Sequence, residues 1–168
     1  MSLPTFKVHA WGRRLAIFAA VFLVIYYGRL WQPRRQIELH QQNLLTAIED
    51  RNWRRLNAQF AENYSDRFGY NRETAIADIR EVMRHFFAAS LRPQLTRIEM
   101  QPDAATVTTN LTLSGTGSAA TEWISGEVNQ LRTPWVFSWR KASFLPWDWR
   151  LEKVENPSLD VAGRRSSF

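Results

Sequence analysis

An α+β domain carried behind a single membrane-spanning helix is the fold class this sequence predicts, and three observations predict it. Residues 133–151, T-P-W-V-F-S-W-R-K-A-S-F-L-P-W-D-W-R-L, hold four of the eight tryptophans in two runs that alternate large and small side chains. That period of two is the signature of strands. Upstream of residue 90 the apolar positions recur at helical spacing instead, so amphipathic helices are expected to cover the sheet. Near the start lies an uncharged apolar run, Leu15–Gly28.

The first ten residues are too short to fold. Residues 11–31 form the predicted span. The apolar run itself covers only about 21 Å as a helix, short of a hydrocarbon core of about 30 Å. Trp11 and Trp31, however, stand about 30 Å apart at helical rise, and tryptophan and tyrosine favour the two interfaces. Trp11, Arg13 and Arg14 on one side, and Tyr26, Tyr27, Arg29 and Trp31 on the other, are therefore the expected membrane-interface residues. Tyr26-Tyr-Gly-Arg-Leu-Trp31 lacks the small residues of a cleavage site, which favours an anchor over a removed signal. Positive charge is balanced across the span, so orientation is nearly a tie. The twin arginines before the run favour a cytoplasmic N-terminus, hence a bacterial inner-membrane protein with a periplasmic body. The cytoplasmic orientation stays open.

Residues 32–35 read as a linker and 36–157 as the body, with a flexible tail over 158–168. Ile37, Leu44, Leu45 and Ile48 share one stripe of a first helix from about Gln36 to Glu49. Asp50 or Asn52 can cap a second, in which Trp53, Leu56 and Phe60 repeat as far as about Asn63. A connector follows, Tyr64-Ser-Asp-Arg-Phe-Gly-Tyr70. Asn71 is a good N-cap for a third helix whose stripe, Ile76, Ile79, Met83, Phe86 and Phe87, is expected to stop before Pro93. From Gln94 a hairpin turns at Pro102-Asp103, with Val107, Leu111 and Leu113 on its apolar face. Ser114 to Gln130, rich in Gly, Ser, Ala and Thr, reads as a long mobile connection around Trp123 and Ile124. The two tryptophan strands come next, and from Asn156 the chain reads as fraying.

The net charge is +6. Lys7, Arg13, Arg14, Arg29, Arg34 and Arg35 account for all of it, because the chain after Arg35 carries sixteen basic and sixteen acidic residues. A nucleic-acid-binding body would carry its own basic face, so nucleic acid is excluded as the expected partner. With no cysteine there are no disulfides, thiolate metal sites or cysteine nucleophiles. His40 stands alone. His85 has Glu81 one turn before it, but two ligands read better as a solvated pair, and no metal or cofactor is expected. Gly115-Thr-Gly117 lacks the further glycine and strand-to-helix setting of a dinucleotide site.

Two helices, a connector, a third helix and four strands in hairpins make up the predicted order. Taken with E-D-R-N-W-R-R-L-N-A-Q-F-A-E-N-Y and the strands W-V-F-S-W-R-K and W-D-W-R-L-E-K-V, this order resembles the nuclear transport factor 2-like, or SnoaL-like, superfamily over Gln36–Pro157. The resemblance implies a curved antiparallel sheet wrapped around a long helix, a cone-shaped, cystatin-like roll that often forms homodimers. It does not fix an activity, since members include isomerases, dehydratases, cyclases and non-catalytic assembly domains. The inner-membrane subunit of type IV secretion channels is similar in layout.

Two readings follow. The favoured one is a membrane-anchored, non-catalytic binding or assembly domain, an accessory subunit of a membrane or envelope complex. Its partners are the lipid bilayer and a protein met through Trp123, Ile124 and Phe144, large apolar groups expected to be exposed. The alternative is a small-molecule isomerase, dehydratase or cyclase, or a ligand binder, using the cone cavity. Its candidate site is Tyr64, Asp66 and Tyr70, after the pattern of tyrosine and carboxyl oxyanion donors that the ketosteroid isomerase case illustrates. Set against that, Asp66 reads equally as a surface turn residue, and rings at strand spacing read as core.

Overall fold

The computed structural model describes residues 15, 17–22, 28 and 32–159. Leu15 and residues 17–22 are helical, and Leu15, Ile17, Phe18, Val21 and Phe22 expose their side chains. No helix among the described residues is long and apolar enough to cross a membrane. Trp11, Arg13, Arg14, Tyr26, Tyr27, Arg29 and Trp31 lie outside the described residues.

The body begins with α1, Pro33–Glu49, whose first turn holds proline where an N–H has no partner to lose. Arg51, at φ 53°, turns the chain. Asn52 then caps α2, Trp53–Gln59, by accepting the Arg55 N–H at 3.0 Å. A capping box between Asn71 and Thr74 starts α3, Arg72–Arg84, with Glu73 in its first turn. Four strands follow as one antiparallel sheet in sequential order: β1, Phe86–Met100; β2, Ala104–Gly117; β3, Trp135–Lys141; and β4, Trp149–Glu155. The α+β architecture, the capped third helix and the turn at residues 101–103 are as the sequence predicts.

Four expectations are corrected. The third helix ends at Arg84 rather than running on through Phe86 and Phe87, because the His85 carbonyl accepts Ser118 N–H and Thr121 Oγ1 and the strand begins at Phe86. Pro93 therefore lies inside β1, opposite Leu111, where an edge strand tolerates the missing donor. Residues 114–130 are not a mobile connection. β2 continues to Gly117 and a further helix, α4, spans Ala120–Asn129, docked on β2. Asn129 secures it with a side-chain amide that accepts from Leu113 N (2.8 Å) and donates to Leu113 O (2.9 Å). Trp147 lies in the loop before β4, not on the strand. Asn156, finally, is not the start of a fraying tail: it is fully buried and holds Thr133 through that residue's backbone carbonyl and hydroxyl.

The core lies between α1 and the sheet's inner face. Trp139, Trp149, Leu151, Phe137 and Val107 come from the sheet, and Ile37, Leu44, Leu56 and Phe60 meet them from α1, α2 and the residue after α2. Trp139 and Trp149 are each 1% exposed. Buried indoles need acceptors. Trp139 Nε1 donates to Gln41 Oε1 at 3.1 Å and Trp149 Nε1 to the Pro146 carbonyl at 2.9 Å. These rings pack in the interior between α1 and the sheet.

Candidate functional site

Between α2 and α3 the chain runs along the free edge of β4. Ala61 N–H donates to Leu151 O (2.9 Å) and Ser65 N–H to Glu152 O (3.3 Å), so the connector satisfies an edge that would otherwise be bare. Asp66 then folds residues 66–70 into a tight loop. Its Oδ1 accepts the N–H groups of Phe68 (2.9 Å) and Tyr70 (3.0 Å), with Gly69 supplying a positive φ of 79°. Its Oδ2 accepts the Tyr64 hydroxyl at 3.0 Å.

Tyr64 is buried, its ring tilted by 55° against Phe60 with centroids 4.8 Å apart. Burial, then the negative charge and hydrogen bond of Asp66, hold its hydroxyl pKa far above the ordinary tyrosine range, against a small opposing contribution from the Val154 backbone. The hydroxyl is thus a fixed neutral donor. Of the three residues predicted as a site, the structure brings Tyr64 and Asp66 into direct contact. Tyr70 contributes a backbone N–H, while its ring packs beside Phe68 and against the core.

An open cleft of about 460 Å³ lies beside this loop, walled by Asn63, Ser65, Asp66 and Arg67 on one side and by Ser138, Glu152 and Lys153 on the other. Glu152 is held by both oxygens on Arg140 Nε (2.8 and 2.9 Å), and Lys153 pairs with Glu155 (2.9 Å). Arg67, like the neighbouring Asp66, has no ion pair among the described residues. The sequence did not single out Arg67, Glu152 or Lys153 as a set. Lys153 shares the parity of the core residues Trp149 and Leu151 and is turned outward only by the irregular β3–β4 register between Ser138 and Trp139, and that the connector pairs with β4 and faces it carries no local signal either.

The remaining predicted residues fall elsewhere. Trp123 and Ile124 lie on α4, with Trp123 half-exposed, and Phe144 stands 90% exposed in the β3–β4 loop. Glu81 pairs with Arg84 at 2.8 Å. His40, solitary in sequence, is a junction: Nδ1 faces Gln59 Oε1 (2.9 Å) and Nε2 the Trp147 carbonyl (2.8 Å), tying α1 to α2 and to the β3–β4 loop.

No family model matches the sequence, and no curated protein does. Solved structures do match. A protein assigned as a dehydratase of the NTF2-like family, from Streptomyces avermitilis, superposes with a TM-score of 0.53 at 15% identity, over 73% of this chain and 93% of that one. The hexachlorocyclohexane dehydrochlorinase LinA-type3 of Novosphingobium barchaimii gives 0.55 at 12% identity, over 72% and 82%. Bd1075 of Bdellovibrio bacteriovorus gives 0.55 at 10% identity over 73% of this chain, which spans 39% of that longer protein. At such identities the likeness is one of architecture: the body has the nuclear transport factor 2-like fold.

Proposed function

We propose that the body is a small-molecule-binding domain whose site is the cleft between the Asp66 loop and β4, carried by an N-terminal anchor on the periplasmic face of a bacterial inner membrane. The observation that carries the binding reading is Arg67, an exposed guanidinium on the rim of the cleft with no ion pair among the described residues, while Glu152 and Lys153 are matched by Arg140 and Glu155. A guanidinium fork suits a carboxylate. The neighbouring Ser65, Ser138 and Asp66 Oδ2 suit a ligand that also carries a hydroxyl or carbonyl group. Neighbours of this fold include a dehydrochlorinase and a protein assigned as a dehydratase, which favours small-molecule work over the assembly role.

Binding, rather than turnover, is what the geometry supports. Asp66 already accepts three hydrogen bonds, so it is a poor general base. The half-exposed Trp123 and the exposed Phe144 favour the second reading, a protein-docking subunit.

The test is a thermal-shift screen of the full chain in detergent against small hydroxy- and keto-carboxylic acids. A ligand at 100 times its Kd should raise the midpoint on the order of 5–10 °C. Arg67→Ala should abolish that shift. Asp66→Asn keeps the loop acceptor and should reduce it only in part. No shift with any acid, together with extraction as a large particle of fixed composition, would replace this reading with the assembly one.

A further inference from the structure

We infer that the β3–β4 loop, through Phe144 and Trp147, rests on the lipid surface that the N-terminal apolar run enters, so that the body sits end-on against the membrane. This rests on the anchoring of residues 11–31 proposed above.

The loop's position follows from three ties. Ala142 N–H donates to Asp148 O (2.8 Å), closing the loop, and Lys141 N–H donates to Asp103 O (3.0 Å), setting it beside the β1–β2 turn. His40 Nε2, at 2.8 Å from the Trp147 carbonyl, fixes it to α1. The direction of α1 is equally determined. Gln41 meets Trp139, two residues from the end of β3, whereas Glu49 accepts the Leu91 N–H far back toward the start of β1. Residue numbers in α1 therefore rise away from the hairpin turns, and Pro33 lies at the turn end. From Pro33 to His40 is about 10 Å of helix. The chain enters the body at the same end as the loop tip.

The chemistry of that end suits lipid. Phe144 is 90% and Trp147 51% exposed, two rings left in water on a loop that is otherwise pinned. Aromatic rings of this kind settle at headgroup depth. Arg34 and Arg35 share Glu38 (3.7 and 3.1 Å), which leaves one positive charge in excess at the start of α1, Arg29 precedes them in the sequence, and Lys141 has no ion pair among the described residues. These cations complement anionic headgroups. A protein partner would have to be recruited from solution, whereas the bilayer is already delivered within a few residues of the loop, at a high effective concentration.

Because the chain has no cysteine, a single labelled thiol reports one site. Phe144→Cys, with Glu81→Cys on the distant α3 as control, would be labelled with an environment-sensitive fluorophore in the full chain and reconstituted into vesicles of neutral and anionic phospholipid. Both positions are exposed, so neither substitution opens the core. The expected result is a blue-shifted emission at position 144 and several-fold stronger quenching by doxyl-labelled lipid than at position 81, growing with the anionic fraction. A chain that resists alkaline carbonate extraction while its label at 144 is quenched by aqueous iodide and not by lipid would overturn the inference and leave the anchor standing. A label shielded from both quenchers would overturn it in favour of a protein contact. Release of the chain by carbonate would overturn the anchor, and this inference with it.

Discussion

Trp149 and Trp147 differ by two residues in sequence, yet one is 1% exposed with its indole N–H on Pro146 and the other is 51% exposed in the loop just before the strand. The same contrast separates Trp139, sealed against Gln41, from Phe144 at the loop tip. Ring content is therefore a poor guide to role within this segment. The register of β3 on β4 decides which rings fill the interior, and it pairs Lys141 with Trp149 while leaving everything between them to the loop. The interior rings belong to the core, and the cleft beside Asp66 lies on the flank outside them.

The contrast is most sharply tested by truncation. Trp139→Ala should cost about 3–5 kcal/mol in denaturant unfolding, a large part of a typical domain's stability, whereas Trp147→Ala should cost within about 0.5 kcal/mol. Equal losses would mean that the loop belongs to the core. A smaller effect is expected at the opposite end of the sheet, where β1 and β2 approach so closely that a Cβ at Gly117 would overlap the His85 carbonyl. Gly117→Ala should lose about 1–3 kcal/mol through forced displacement, read by the same unfolding curves.

A smaller loss than at Trp139 or Gly117 is expected at Tyr64, on the border between interior and cleft. Tyr64→Phe removes one hydrogen bond to Asp66 and should cost about 1 kcal/mol at neutral pH. The pH dependence has a definite sign. The folded hydroxyl pKa lies above the unfolded one, so its contribution is complete below the unfolded value of about 10 and declines as pH rises beyond it. Wild type should therefore lose stability above about pH 10 more steeply than Tyr64→Phe. Parallel curves would place the hydroxyl in water.

How much of this was legible in the sequence depended on whether a feature was local. The capped start at Asn71, the stripe of α1 and the turn after Met100 each rest on a few neighbouring residues, and each was readable. The end of α3 was not, since Phe86 fits a helical stripe and only Ser118 and Thr121, more than thirty residues on, stop the helix there. The same holds for α4, whose small and polar residues resemble a loop until β2 and Leu113 give it something to pack on. At the candidate site the contact between Tyr64 and Asp66 is local, with only Ser65 between them. The opposite wall was hidden, because it depends on the connector pairing with β4 some ninety residues away.

The Asn129 amide has a consequence for how copies of this chain meet. β3 pairs with β2 only as far as Thr109, and beyond it α4 lies against β2. By pairing with both backbone groups of Leu113, Asn129 acts as a one-residue stub of the missing neighbour strand. A polypeptide from another molecule finds that stretch of margin already taken. The protein thus covers part of the β2 margin at the end of the sheet where only β1 and β2 remain paired.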